Sequence, residues 1–236
     1  MDNMEHIVKI LSVTPVTHDV RAYRLAKPAG YSFVPGQATD VSINTEKWKE
    51  EKRPFTFTSL NEWPYLEFTI KSYGDHDGVT NQLGKLQAGD ELIIRDVWGA
   101  ISYTGEGYFI AGGAGITPFL AILRQLNADG KIGGNQLFFS NKTASDIILR
   151  EELDRMLGPN VHYILTRENS GSGMGGVSRE NAGAGGSRHI DKDFLSREIA
   201  DLAKPIYICG PDKMVAELTA TLGKLGAKPE SLVFEK

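Results

Sequence analysis

The spacing of apolar segments along the sequence changes near residue 104, and no other feature of the sequence constrains the fold as strongly. Before that point, six short segments rich in β-branched and aromatic residues are separated by Gly, Pro and Asp turns. Such segments predict a small antiparallel β-barrel. After it, short apolar strands alternate with helical segments, which predicts a parallel sheet covered by helices on both faces. We therefore expect two domains, at residues 1–103 and 104–236.

The predicted elements follow the same division. In the first half, the strands are residues 6–13, 20–25, 38–43, 55–59, 66–71 and 91–95, and a short helix covers 80–86. In the second half, the strands are 107–111, 136–140, 161–166, 206–209 and 232–234, and the helices are 117–126, 145–156, 192–203 and 212–225. Residues 169–188 hold seven glycines and predict a loop, which is either a tolerated insertion or a lid.

Composition narrows the functional classes. The net charge of −4, without a basic stripe, argues against a nucleic-acid partner, and no apolar run is long enough to span a membrane. The single cysteine, Cys209, excludes a disulfide or a cysteine-ligated iron–sulfur cluster within this sequence, and we predict no metal site. Because the polar start lacks the features of a secretory signal, we expect a soluble, cytoplasmic protein.

A glycine-rich turn at residues 111–118 follows the first strand of the second half and opens a helix. Gly113 and Gly115 let the backbone approach a pyrophosphate, whose charge the helix start attracts, and Thr117 lies at that start. Pro118 suits the first helical turn, but it replaces the third glycine of the Gly-x-Gly-x-x-Gly fingerprint. The turn therefore predicts either a nucleotide site or a tight strand-to-helix connection.

Three further segments are individually ambiguous. Cys209-Gly210-Pro211 joins a strand to a helix, where the thiol either borders a bound ring or packs as a small hydrophobe. Arg53-Pro54-Phe55-Thr56 offers a guanidinium for a diphosphate, an aromatic face and a hydroxyl, or is only a barrel strand. Gly78-Val79-Thr80 opens a helix, where either Thr80 acts as a cap or the turn holds a phosphate.

The order of these segments resembles the ferredoxin–NADP reductase family, particularly its bacterial flavodoxin and ferredoxin reductases and its oxygenase reductases. The chain carries Arg-Pro-aromatic-Thr, then Gly-Val-Thr, then Gly-Gly-x-Gly-x-Thr-Pro, then Cys-Gly-Pro, with Pro35-Gly36-Gln37 upstream of the first. The resemblance implies a flavin-binding β-barrel domain followed by an NAD(P)-binding α/β domain. It also implies an NAD(P)H-dependent flavoprotein reductase, in which a flavin takes up hydride and releases electrons to a second partner.

The resemblance assigns roles in the flavin site. Arg53 and Pro54 belong to the flavin diphosphate site, and Phe55 stacks on the isoalloxazine where many relatives have tyrosine. Thr56 donates a hydrogen bond near flavin N5, and the segment Gly78, Val79 and Thr80 holds the flavin phosphates. FAD is expected rather than FMN, from the habit of the family alone.

The resemblance assigns the nucleotide site in the same way. Gly113, Gly115, Thr117 and Pro118 hold the pyrophosphate, whereas Cys209, Gly210 and Pro211 border the nicotinamide. Glu235 completes the site, so that Thr56, Cys209 and Glu235 are the expected catalytic residues. No aromatic residue follows Glu235, so Phe234 either covers the flavin or leaves its face open.

The nucleotide and the acceptor are less constrained. Lys142 and Arg167 follow the second and third strands of the predicted parallel sheet, where cations suit the 2′-phosphate of NADP, although both residues also fit a solvated surface. The leading acceptor is an external ferredoxin, flavodoxin or oxygenase component. One alternative is a flavin or quinone reductase that acts on diffusible acceptors, and another is a flavin-binding sensor or regulatory subunit without turnover.

Overall fold

The computed structural model describes residues 4–74, 77–99, 101–167 and 189–234. Within them, the chain forms a six-stranded antiparallel sheet and a five-stranded parallel sheet, which confirms the predicted fold class. The chain divides into two compact units. The first unit holds Met1–Ser102 with Thr117–Gln125, and the second unit holds Tyr103–Ile116 with Leu126–Lys236.

The first unit is built on a sheet whose strands are ordered β4-β3-β6-β1-β2-β5. The strands are β1 His6–Pro15, β2 Val20–Ala26, β3 Ala38–Ile43, β4 Arg53–Thr56, β5 Tyr65–Lys71 and β6 Glu91–Trp98, and the short helix α1 is Val79–Leu83. The two edge strands meet just beyond β4, where the Thr58 amide donates to the Glu67 carbonyl at 2.8 Å. The sheet thus closes on an apolar interior that includes Tyr23, Phe57 and Phe68, each of them fully buried.

Helix α2, Thr117–Ala128, contributes its first nine residues to the first unit. It approaches the sheet at the turn that holds Gly36, where a Cβ atom would lie 3.3 Å from Ile122 Cδ1. The same Cβ atom would lie only 2.0 Å from the Ile101 carbonyl oxygen, and the backbone of Gly36 has a φ of +96°. Only glycine meets both conditions, so Gly36 allows the helix and the turn to pack closely.

The second unit is built on a parallel sheet with the strand order β11-β10-β7-β8-β9. The strands are β7 Tyr108–Gly112, β8 Gln136–Asn141, β9 Val161–Leu165, β10 Ile206–Cys209 and β11 Leu232–Phe234. The further helices are α3 Arg150–Leu157, α4 Lys192–Glu198 and α5 Asp212–Leu225. Phe138 and Ile164 on one sheet face pack with Phe194 of α4 and Leu218 of α5. Because crossover helices join parallel strands, their carboxyl ends share one edge.

The entry into the second unit is anchored by a buried tyrosine of β10. The Tyr207 hydroxyl accepts hydrogen bonds from the amides of Thr104 and Gly105 at 2.9 and 3.1 Å, and it donates to the Gly105 carbonyl at 2.7 Å. Its ring stacks on Phe109 of β7, with the ring centroids 4.4 Å apart. These contacts fix the segment that precedes β7.

Several predicted boundaries differ from the structure. The predicted helix at 145–156 is wrong in its first part, because a short 3-10 segment, Ala144–Asp146, ends before Leu149 takes the left-handed conformation and α3 begins at Arg150. The strand predicted at 55–59 is instead Arg53–Thr56, and the helix predicted at 192–203 ends at Glu198. The glycine-rich stretch 169–188 lies outside the described residues.

None of the helices in the described ranges combines the length and the apolar character that a membrane crossing requires.

Candidate functional site

The glycine turn after β7 has the backbone that a phosphate site requires. Gly113 has a φ of +53° and open space at its Cβ position, so the turn presents its backbone there without a side chain. The chain then forms one 3-10 segment, Gly113–Ile116, and enters α2 with Thr117 half-buried and Pro118 buried. Backbone amides that point out of such a turn attract an anionic group. The residues present therefore fit a pyrophosphate.

The turn packs tightly against the end of β10. A Cβ atom on Gly115 would lie 2.3 Å from the Cys209 carbonyl oxygen, and one on Gly210 would lie 3.2 Å from Gly112 Cα. A Cβ atom on Gly112 would lie 2.6 Å from Met214 Sδ. The fold thus brings the two glycine motifs together, although they are about ninety residues apart in the sequence.

Cys209 stands at the floor of an open groove in the second unit. Its side chain is buried, and the groove of about 650 Å³ is bordered by Ile208, Gly210 and the first turns of α5, whereas Pro211 is exposed. The lining is mainly apolar, through Val215 and Ala216. A flat, weakly polar ring fits such a wall better than a phosphate does. The predicted nicotinamide position is therefore compatible with the geometry of this unit.

The two cations predicted to read the nucleotide lie at the same sheet edge. Lys142 and Arg167 follow β8 and β9, and the Arg167 amide donates to the Lys142 carbonyl at 2.9 Å. Both side chains are exposed. The hydrogen bond keeps the two backbones adjacent, so one ligand group can meet both cations.

Asn141, at the end of β8, is a residue that the sequence analysis missed. Its side chain is buried, and neither its amide oxygen nor its amide nitrogen has a hydrogen-bond partner. A buried unsatisfied amide is costly, so such groups in native proteins bond to water or to a ligand. A polar residue directly after an apolar strand was the signal in the sequence.

The first unit displays the Arg-Pro-Phe-Thr motif on β4. Arg53 and Pro54 are exposed, and the Arg53 guanidinium donates to the Lys52 carbonyl at 2.7 Å and lies 3.9 Å from the Glu51 carboxylate. Phe55 is half-buried against the barrel interior, whereas Thr56 is buried and follows it on the alternate side of the strand. An exposed cation, an aromatic ring and a hydroxyl therefore occur in one short strand.

The start of α1 has Gly78, and not Thr80, as its N-cap. Gly78 has extended backbone dihedrals and brings no side chain to the helix start. Val79 is buried and Thr80 is half-buried inside the first turn. Of the two alternatives for this segment, capping by Thr80 is therefore excluded, and the flavin-phosphate role of Gly78-Val79-Thr80 stays a prediction.

The structure describes only part of the C-terminal segment for which site residues are predicted. Phe234 ends β11 and pairs with Ile208 of β10. The side chain of Phe234 and all of Glu235 lie outside the described residues.

Comparison with known protein families finds two domain models that match the chain. The model of an oxidoreductase FAD-binding domain matches residues 7–103, and the model of an oxidoreductase NAD-binding domain matches residues 109–219. NADH-cytochrome b5 reductase 1 of Neosartorya fischeri is 31% identical over 242 residues, which cover 92% of this chain and 74% of the relative. The chain belongs to the ferredoxin–NADP reductase family.

Three further proteins are also similar to this chain. The reductase component of propane 2-monooxygenase from Rhodococcus jostii is 26% identical over 243 residues, 97% of this chain and 62% of that protein. A ferredoxin NADP⁺ reductase from Neisseria gonorrhoeae shares the fold, with a TM-score of 0.75 at 20% identity, over 98% of this chain and 97% of that one. The CS-b5R domains of human Ncb5or share the fold with a TM-score of 0.81 at 22% identity, over 99% of this chain and 70% of that one.

Membership settles the class of the enzyme and its cofactors. The protein is an NAD(P)H-dependent flavoprotein oxidoreductase with one FAD-binding and one NAD(P)-binding domain. The expectation of FAD is thereby confirmed.

Proposed function

We propose that this reductase takes hydride from NADPH onto FAD and passes the electrons on to a separate protein. The observation that carries the proposal is the close packing of Gly112 and Gly115 against Gly210 and Cys209, which makes one binding edge from two separate motifs. The names of its relatives, a cytochrome b5 reductase and a monooxygenase reductase component, support a protein as the acceptor. Among the acceptors, a ferredoxin, a flavodoxin or an oxygenase component is proposed.

Each proposed role follows from the local chemistry. Arg53 neutralises the flavin diphosphate, the amides after Gly78 hold its phosphates, and Phe55 presents an apolar face. Thr56 offers a hydroxyl to the flavin edge that accepts hydride. FAD, when bound, accepts two electrons as hydride and releases them one at a time.

The residues of the second unit bind and orient the nucleotide in this proposal. Gly113, Gly115, Thr117 and Pro118 form the pyrophosphate turn, and the sulfur of Cys209 limits the position of the nicotinamide. Gly210 and Pro211 complete the wall, while Phe234 and Glu235 stay predictions for the C-terminal side. Orientation matters because hydride transfer requires near-contact between donor and acceptor atoms.

Lys142 and Arg167 favour NADP over NAD in this proposal. Both cations are exposed beside the same backbone hydrogen bond, where they can pair with a 2′-phosphate. Arg167→Ala should raise the KM for NADPH at least about tenfold and leave the KM for NADH within about twofold, since a lost charge-assisted pair costs about 1.5 to 3 kcal/mol. Steady-state kinetics with both nucleotides test this, with Arg155→Ala on the exposed face of α3 as the control. Equal losses for both nucleotides would remove the NADP assignment.

The acceptor is tested by reconstitution. The reductase, loaded with FAD and supplied with NADPH, should reduce ferredoxin, flavodoxin or an oxygenase component much faster than it reduces free flavin or a quinone. Fast reduction of quinone without a protein acceptor would instead support the diffusible-acceptor alternative. Flavin that binds but is not reduced by either nucleotide would support the sensor alternative.

Cytoplasmic location stays a prediction from the sequence, and cell fractionation tests it.

A further inference from the structure

A buried ion pair joins helix α2 to strand β5. The Arg124 guanidinium donates to the Glu67 carboxylate at 2.8 Å, and the two side chains are only 9% and 5% exposed. The same guanidinium nitrogen donates to the carbonyl of Thr58, whose hydroxyl also lies 3.2 Å from the Glu67 carboxylate. All of these residues belong to the first unit. Helix, strand and the segment after β4 are therefore tied together by one charged network.

The network connects two segments that the proposed function needs. Thr58 follows Thr56 by two residues, so Arg124 holds the continuation of the strand that carries the proposed flavin contacts. Helix α2 starts at Thr117, directly after the glycine turn of the proposed nucleotide site. The position of α2 relative to the segment after β4 thus depends on the directional hydrogen bonds that Arg124 donates to Thr58 and Glu67.

An apolar contact alone would hold α2 without fixing its position as narrowly. Ile122 already packs against the Gly36 turn in that way. Burying two charges has a desolvation cost, and well-packed apolar residues are often equally stabilising at such positions. Hydrogen bonds of a guanidinium are directional, however, and restrict both rotation and sliding of the helix. The Glu67–Arg124 pair is therefore better explained by its restriction of the position of α2 than by a contribution to the free energy of unfolding.

We propose that Glu67 and Arg124 are a positioning pair for hydride transfer, which holds α2 in register with the strand that carries Thr56. This inference rests on the proposed function. Neither residue touches the cofactors in this account. Each acts through the backbone of α2 or of Thr58, and loss of the pair should slow hydride transfer far more than it weakens FAD binding.

The test measures flavin reduction by NADPH in single-turnover stopped-flow experiments on the FAD-loaded protein. Arg124→Met should slow reduction by about 10- to 100-fold, because a misplacement of about 1 Å costs on the order of 10²-fold. The charge-transfer absorbance of stacked nicotinamide and flavin should weaken in parallel, while the FAD dissociation constant stays within about threefold. Arg124→Lys, which keeps the charge and loses the fork, should recover part of the rate.

A matched control comes from the other cation on the same carboxylate. Arg24 donates to Glu67 at 3.3 Å, but it is 51% exposed and lies on β2. Arg24→Met should leave the reduction rate within about twofold. Because Arg124→Met leaves the buried Glu67 carboxylate with the longer ion pair to the half-exposed Arg24, the double variant Glu67→Gln with Arg124→Met provides a second form in which that buried charge is removed.

The outcomes separate this inference from the proposed function. A slow reduction with retained FAD affinity in the single or double variant supports the positioning role. Unchanged reduction, or a loss of reduction that only follows release of FAD or unfolding in both variants, overturns it. If the unmodified protein binds FAD but is not reduced by NADPH, the proposed function fails, whatever the variants do.

Discussion

At the scale of single residues, two glycines show two different reasons why a position disfavours a side chain, namely backbone conformation and lack of space. Gly30 and Gly36 both have positive φ values, +76° and +96°. A Cβ atom on Gly30 would meet nothing within 4 Å, whereas one on Gly36 would meet the Ile101 carbonyl oxygen at 2.0 Å. The two positions therefore separate the cost of backbone strain from the cost of a steric clash.

Gly30→Ala should lower the free energy of unfolding by about 1 to 2 kcal/mol, which is the cost of a left-handed residue with a Cβ atom. Gly36→Ala should lower it by about 2 to 5 kcal/mol, because overpacking against Ile101 adds about 1 to 3 kcal/mol. Urea denaturation of the two variants and the unmodified protein measures the difference. A Gly36→Ala protein as stable as Gly30→Ala would mean that the turn relaxes freely.

From the sequence, the functional motifs could be recognised, but the contacts between them could not be predicted. The order of the glycine and Arg-Pro-Phe-Thr motifs allowed the family and both domains to be predicted. The contact between Gly115 and Cys209, in contrast, depends on the strand order β10-β7, which no local pattern contains. The same is true of the Glu67–Arg124 pair, since a Glu on a strand and an Arg on a helix are ordinary surface residues in a sequence.

At the scale of elements, α1 shows how a helix too short to be stable alone is held in place. It has five residues, and an isolated helix of this length is not stable in water. Val79 and Leu83 pack into the barrel interior, and the Tyr23 hydroxyl of β2 donates to the Leu83 carbonyl at 2.8 Å. The helix start that is proposed to hold the flavin phosphates is therefore fixed by its buried end.

Tyr23→Phe should lower the free energy of unfolding by about 1 kcal/mol at pH 7, because the Leu83 carbonyl loses its hydrogen bond. Burial raises the pKa of Tyr23 above its ordinary value, since the charged form is poorly solvated there. The folded state thus holds the proton more tightly, and this contribution is present below a pH of about 10 and is lost as pH rises through the raised pKa. The stability gap between the two proteins should therefore shrink above a pH of about 10.

Urea denaturation at a series of pH values checks this, with Tyr73→Phe as the control, because Tyr73 is exposed. That control should change the stability at pH 7 by less than about 0.5 kcal/mol. A gap between Tyr23→Phe and the unmodified protein that stays constant or widens in alkali would contradict the assignment.

Element boundaries were the weakest part of the prediction, for a local reason. The apolar spacing at 145–156 matches one helix, but Thr143 and Asp146 cap each other in a reciprocal box that opens a separate 3-10 turn, Ala144–Asp146. Leu149, with a φ of +53°, then redirects the chain into α3. A left-handed conformation is uncommon for leucine, so the helical preference of this residue type could not predict the break, and the two residues before it, Ile147 and Ile148, are buried.

At the scale of the whole molecule, the chain matches a FAD-binding domain at residues 7–103 and an NAD-binding domain at residues 109–219. A ligand that binds only the folded state stabilises it by mass action. FAD at about 100 times its dissociation constant should therefore raise the free energy of unfolding by about 2.7 kcal/mol.

Arg53→Ala should reduce this gain at the same FAD concentration, because it weakens FAD binding, while the stability of the apoprotein should stay nearly unchanged, since Arg53 is exposed. Thermal unfolding with and without FAD measures both quantities, and Arg155→Ala is the control. An equal gain in the Arg53 variant would remove this residue from the flavin site.

The chain's sole thiol, Cys209, is buried where the end of β10 meets the Gly112–Gly115 turn. Thiol-specific reagents can therefore modify one position only, and the rate of that reaction reports how accessible the Cys209 sulfur is. A bound dinucleotide should shield the sulfur and slow its modification. The rate of thiol modification in the unmodified protein should therefore report how much of the nucleotide site is occupied, without an engineered label.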